Sequence, residues 1–161
     1  MTAVLSLGTN LVDRVARLRC GLEVIAQHVA IQAISPIYET AAVGLQDQPA
    51  FLNLVTIVES DDPERVFRAA QTAEESQGRL RSQRWGPRTL DVDVITVGGL
   101  TSEDPRLTLP HPRAHERAFV LVPWLAIDPT AELPRRGPVR AIVGGLADQD
   151  ITRYADPLPV P

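Results

Sequence analysis

The segment from Arg84 to Ile95, RWGPRTLDVDVI, concentrates the residues of this chain best suited to chemistry. Thr89 to Val97 is rich in β-branched residues and reads as a strand. Strand side chains alternate between faces, so Asp91 and Asp93 point one way and Leu90, Val92 and Val94 the other. Neighbouring carboxylates repel and raise each other's pKa unless a cation lies between them. An edge strand turning a polar face to water could carry the same D-x-D pattern. Here, however, Arg84 and Arg88 lie just upstream with Trp85, and that company points to a site that holds a metal-bound polyphosphate. The pair suits Mg²⁺ rather than zinc, because Mg²⁺ takes hard oxygen ligands, few from protein and the rest from water and phosphate. A nucleoside triphosphate added to two carboxylates carries more charge than one Mg²⁺ balances; two ions with several arginines could.

Other residues extend this pattern. Arg79, Arg81, Arg84 and Arg88 can each make bidentate contacts to phosphate, although any one of them could equally belong to a solvated basic loop. The stretch LTLPHPRAHERAF (107–119) holds two of the three histidines, His111 and His115, and Pro110 and Pro112 fix the backbone around His111. Asn53 lies on the strand face of Phe51; once buried it needs partners, either a loop or the donor and acceptor edge of a heteroaromatic ligand. Phe51, Trp85 and Phe119 could stack such a ring, or serve as ordinary core. Gln71 and Glu74 sit off the buried stripe of a helix and default to solvent, and His28 falls at a helix end. No serine sits in a G-x-S-x-G elbow, and the one cysteine, Cys20, has no histidine partner in sequence. The chemistry therefore runs directly between two bound substrates, as in phosphoryl-type transfer, where positioning and electrostatics do most of the work.

Composition sets the limits. At 161 residues and 44% hydrophobic, the chain fits one globular domain. A net charge of −4 argues against general nucleic-acid binding. All 16 basic residues are arginine. Without lysine there is neither a Walker-type phosphate loop nor a Schiff base, so a phosphate clamp must use arginine or backbone. A lone cysteine forms no internal disulfide and no zinc cluster. The opening MTAVLSLGTN lacks the pattern of a secretory leader, and no apolar stretch is long enough for a membrane span, so a cytoplasmic protein is expected.

The elements that must position these residues follow from periodicity. Ala3–Leu7 reads as a buried strand, Gly8 to Asn10 as a turn with Asn10 capping a helix, and Leu11, Val15, Leu18, Leu22, Ile25 and Val29 as that helix's apolar stripe. Residues 31–40 form a second strand interrupted by Pro36, 41–49 a loop, and 51–59 a third strand. Asp62-Pro63 starts a second helix, which Gly78 ends. Strand, helix, strand, strand, helix, strand is the order of a ferredoxin-like α+β sandwich, an antiparallel sheet with helices on one face and the other face free for ligand. A helical piece over 118–127, with Pro123 marking a kink or early turn, and a short helix near 139–146 would follow. The expected domain is 1–152, with 153–161 a proline-rich tail.

The set LGTN (7–10), YET (38–40), DQPAFLN (47–53), RWGPRTLDVDVI (84–95), LPHP (109–112) and RAFVLVP (117–123) resembles the 6-hydroxymethyl-7,8-dihydropterin pyrophosphokinase family of folate biosynthesis. The resemblance implies a ferredoxin-like fold, a monomer, and transfer of the ATP β,γ-diphosphate to 6-hydroxymethyl-7,8-dihydropterin with release of AMP. It places two Mg²⁺ on Asp91 and Asp93, and it assigns Asn53, Thr40, Val43, Phe51, Phe119 and Trp85 to the pterin. Arg79 and Arg88 become catalytic or phosphate-contacting, and Arg84 a loop residue over ATP. Gln71, Glu74, Arg106, Thr108, His111 and Arg117 line the nucleotide side. Departures from the family pattern are Phe51 where tyrosine is common, Ala41 and Ala42 in place of a proline pair, Pro112 after His111, and a short loop before Trp85.

Two other classes compete. A ferredoxin-like RNA-binding module would stack bases on strand aromatics, but aromatics are only 4% and no RNP-like strand occurs. A metal-dependent phosphodiesterase using the same carboxylates would release product from ATP without a pterin. On the transfer reading, Arg88→Ala should slow the chemical step more than it weakens ATP binding. Pre-steady-state kinetics beside equilibrium titration checks this, and equal losses would make the arginine a ground-state contact only.

Overall fold

A computed structural model describes residues 1–41, 48–77 and 90–161. Among the described residues the fold is mixed α/β, built on a six-stranded antiparallel sheet. The elements are β1 (Thr2–Thr9), α1 (Arg14–Ala26), β2 (Ala30–Ile34), β3 (Ile37–Thr40), β4 (Phe51–Glu59), α2 (Pro63–Ser76), β5 (Asp91–Val97), α3 (Ala118–Ile127), β6 (Glu132–Leu133), β7 (Gly137–Pro138), α4 (Val139–Val143) and β8 (Thr152–Ala155). The sheet order is β5-β1-β4-β3-β8, with β2 also paired to β4; β6 and β7 form a separate two-stranded ribbon.

Period-2 alternation divides the sheet between two cores. Ala3, Leu5, Leu7, Leu52, Leu54, Val58, Leu90, Val92 and Val94 pack beneath α1 and α2, whose buried stripes include Leu18, Leu22, Ile25, Val66, Ala69 and Ala73. Val4, Val55 and Ile95 face the other way and meet Val120, Leu121 and Trp124 of α3. The helix α3, AFVLVPWLAI, is apolar on all sides because it lies between the sheet and the C-terminal elements.

The expected antiparallel sheet with two helices on one face is present, and several local expectations change. Gly8 and Thr9 continue β1 instead of turning. Asn10 caps nothing: α1 starts only at Arg14, after Asp13 in a left-handed conformation, and buried Asn10 donates its Nδ2 to Gln48 Oε1 at 3.2 Å. The second strand splits at Ser35-Pro36, in line with the interruption expected at Pro36, and there the Ser35 hydroxyl accepts from the Val55 N–H at 2.9 Å. The helical piece expected over 118–127 is present as α3, and Pro123 lies inside it without ending it early. The second sheet face is only half free, since α3 covers the end nearest Val4. Thr152–Ala155, across the expected start of the tail, pairs with β3. Gly78, read as the end of the second helix, lies outside the described residues.

The start of α2 is as read. The Asp62 side chain accepts from the backbone N–H groups of Glu64 and Arg65, and Pro63 opens the first turn. Asp62→Ala should cost about 1 kcal/mol, lowering Tm by about 2–4 °C in a thermal melt.

Candidate functional site

Beside the first turn of α3, the sheet surface opens. Antiparallel register places Gly8 between Asn53 and Asp91, and Ser6 between Val55 and Asp93. The result is a polar floor of Ser6, Gly8, Asn53, Asp91 and Asp93 beside the apolar floor under α3. At the bulge on β5, Leu5 pairs with Val94 and Val4 with Thr96, passing over Ile95. The Ile95 carbonyl accepts from the His111 N–H at 2.9 Å and so ties the histidine loop to the carboxylate strand.

A cavity of about 790 Å³ stands on this floor, walled by Thr40, Phe51, Arg117, Phe119 and Gln149 among others. Asn53 is buried, and its Nδ2 donates to Thr40 Oγ1 at 2.9 Å. Its side chain also leans over Gly8: a Cβ there would come within 2.9 Å of Asn53 Oδ1. The strands forming this end are braced from the opposite side by Arg14, whose Nη1 donates to the Ala50 carbonyl at 2.8 Å and pairs with Glu39 at 3.0 Å. The same guanidinium lies 5.4 Å from the Tyr154 ring centre, which brings β8 into the brace.

A smaller cavity of about 280 Å³ opens beyond the edge of β5, between α2 and the 105–112 loop. Gln71, Glu74, Arg106, Thr108 and His111 line it with Phe67. Arg106 pairs with Glu64 and its guanidinium sits 5.3 Å over the Phe67 ring. Among the described residues, Asp93 alone lines both cavities.

Arg117 and His111 converge on Asp93. Arg117 Nη1 is 3.4 Å from Asp93 Oδ2, and its guanidinium lies 5.4 Å from the Phe119 ring centre. His111 Nε2 is 4.0 Å from Asp93 Oδ1. Burial pushes the His111 imidazole below its ordinary pKa; the Asp93 charge opposes this, and the Arg117 and Arg113 charges reinforce it. His111 Nδ1 accepts from the Arg113 N–H at 3.2 Å, so the neutral ring carries its proton on Nε2, the nitrogen nearer Asp93.

Of the residues singled out from sequence, the larger cavity thus gathers Asp91, Asp93, Thr40, Phe51, Asn53, Arg117 and Phe119, and the smaller one Gln71, Glu74, Arg106, Thr108 and His111 with Asp93. Val43, Arg79, Arg81, Arg84, Trp85 and Arg88 lie outside the described residues. Sequence reasoning missed Ser6, Gly8, Arg113, Glu116, Asp148, Gln149 and Asp150 on the larger cavity. A glycine inside a strand was a usable signal for Gly8; the others carry no local pattern.

Comparison with known proteins places the chain in a class of transferases. Residues 4–129 match the family described as 7,8-dihydro-6-hydroxymethylpterin-pyrophosphokinase (HPPK). The 2-amino-4-hydroxy-6-hydroxymethyldihydropteridine pyrophosphokinase of Mycobacterium tuberculosis is 45% identical over 96% of this chain and 89% of its own length. That of Haemophilus influenzae is 35% identical over 95% and 98%. The chain belongs to this family, and its function is the pyrophosphokinase step of folate biosynthesis. The fold is likewise shared with the crystal structure of wild-type Plasmodium falciparum HPPK-DHPS with pterin and p-hydroxybenzoate, at a TM-score of 0.68, 15% identity and 91% coverage of this chain. HPPK-DHPS in complex with substrates gives 0.71 at 12% identity. This chain spans only 42% and 43% of those longer chains.

The close approach at Gly8 predicts that Gly8→Ala displaces the Asn53 amide and breaks its bond to Thr40. Stability should fall by about 1–3 kcal/mol. A crystal structure of the variant with a denaturant titration checks both; an unmoved Asn53 would contradict the tight contact.

Proposed function

We propose that the protein transfers the β,γ-diphosphate of ATP to the hydroxymethyl group of 6-hydroxymethyl-7,8-dihydropterin and releases AMP, with the pterin in the larger cavity and the nucleotide reaching in from the smaller one. The observation that carries this is the position of Asp93 on both cavities: a direct transfer needs one point at which two separately held substrates meet. The antiparallel order with β1 between β4 and β5 supports the finer reading of a ferredoxin-like sandwich.

Asp91 and Asp93 fit Mg²⁺ by the chemistry of their donors. They are two carboxylates on one pleat at a cavity open to substrate oxygens, the pattern of a cation held partly by protein and partly by phosphate. Bound there, two Mg²⁺ would neutralise phosphate charge and draw the transferring group into line. The chain's own residues supply the rest. Asn53 offers an amide, held by Thr40, to the polar edge of the pterin, and Phe51 and Phe119 offer ring faces to its planar surface. Arg117 and the Nε2–H of His111 face the charge that builds as the hydroxyl oxygen bonds to the β-phosphorus. The bond from that phosphorus to the oxygen bridging the α-phosphate breaks, AMP leaves with that oxygen and the electron pair, and the hydroxyl proton is released to solvent. The stacked Arg106–Phe67 pair and Thr108 line the nucleotide side.

A monomeric, cytoplasmic enzyme is part of the same proposal. Among the described residues no helix is long and apolar enough to cross a membrane.

Measuring AMP with and without the pterin tests this reading. AMP should appear only with the pterin present, matched by equal pterin diphosphate; release from ATP alone would favour the phosphodiesterase. Asp93→Ala should keep its fold by circular dichroism and lose at least about 10³-fold in kcat. Retention of most activity would remove Asp93 from the reaction.

A further inference from the structure

We propose that Gln149, in the C-terminal segment beyond α4, is a positioning residue that sets the direction of Arg117 in the transfer site. The inference deepens the reading above, in which Arg117 faces the reacting phosphates. Gln149 Nε2 donates to the Glu116 carbonyl at 2.7 Å, and Gln149 Oε1 accepts from the Ala118 N–H at 2.9 Å. A single side-chain amide therefore grips the backbone on both sides of Arg117, as a neighbouring strand would.

The grip falls where the chain needs it. Arg117 is extended, at φ −119° and ψ 104°, between the short 3₁₀ turn Ala114–Glu116 and the first residue of α3. The Ala118 N–H belongs to the first turn of α3 and has no intrahelical acceptor, and Arg117 offers no side-chain cap. Gln149 supplies that acceptor from 31 positions away. Its own N–H donates to the Leu146 carbonyl at 3.0 Å, which anchors it to the turn after α4. Beyond the gripped peptide, the Arg117 guanidinium reaches to 3.4 Å from Asp93 Oδ2 and lies over Phe119. A small rotation of the backbone at Arg117 becomes a large displacement at the end of so long a side chain.

The chemistry requires an amide. One end must donate and the other accept, with both spanned by a side chain of glutamine length. Gln149→Met keeps the shape and removes both bonds; Gln149→Asn keeps the amide but is a methylene too short to reach both groups. The C-terminal segment, outside the residues 4–129 that match the family, thereby completes the site.

The test is a double-mutant cycle on ATP affinity, read by calorimetric titration with a non-transferable ATP analogue and Mg²⁺. It uses wild type, Gln149→Met, Arg117→Ala and the double variant, with Tm and wild-type transfer activity recorded alongside. Gln149→Met should weaken nucleotide binding about tenfold with Arg117 present and have little further effect in the Arg117→Ala background. Equal losses in both backgrounds, or no loss with Arg117 present, would overturn the positioning role. If Gln149→Met does not fold, the same cycle with Gln149→Asn decides the matter by the same criteria. Wild-type protein that binds nucleotide but forms no pterin diphosphate would defeat the transfer reading, while the cycle would still report on the coupling of Gln149 to Arg117.

Discussion

The placement of Asp91 and Asp93 on one pleat is the constraint on which the site depends. Strand geometry puts both carboxylates on one pleat, so their charges cannot be turned to opposite sides of the sheet. The fold answers by leaving that part of the face uncovered and by bringing Arg117 and His111 to Asp93 from the loop and helix that follow. Both acids stand on an open polar floor, facing a cavity and not an apolar layer.

The boundary of that floor is set by α3. On the same sheet face, Val4, Val55 and Ile95 lie under an apolar helix, while their neighbours Ser6, Asn53 and Asp93 lie in the cavity. A step of two residues along each strand separates core from site. The residues at the start of α3 consequently serve both regions. Ala118 packs in the interior, and Arg117 beside it faces the acid. Rigid packing of the helix is thereby converted into a defined position for a charged group.

Much of this was legible in the sequence wherever a local rule operates. The Asp62-Pro63 start of α2, the alternation along β4 and the shared face of Asp91 and Asp93 each follow from neighbours in the chain. The misses have a common physical cause. Asn10 resembles a cap but bonds to Gln48; Gly8 resembles a turn but stays extended beneath Asn53; and Thr152–Ala155 resembles a tail but completes an edge of the sheet. In each case a partner distant in sequence outweighed the local preference. Gln149 is the extreme example, since nothing around it signals that it grips the chain at residues 116 and 118.

The exposed thiol of Cys20 lies on α1, in the layer on the far side of the sheet from both Asp91 and the α3 surface. It is the sole cysteine of the chain. A maleimide dye or nitroxide would therefore attach at one defined point without engineering, in the helix layer on the sheet face opposite the Asp91 floor. The native polypeptide is ready-made for fluorescence or spin-label spectroscopy of ligand binding.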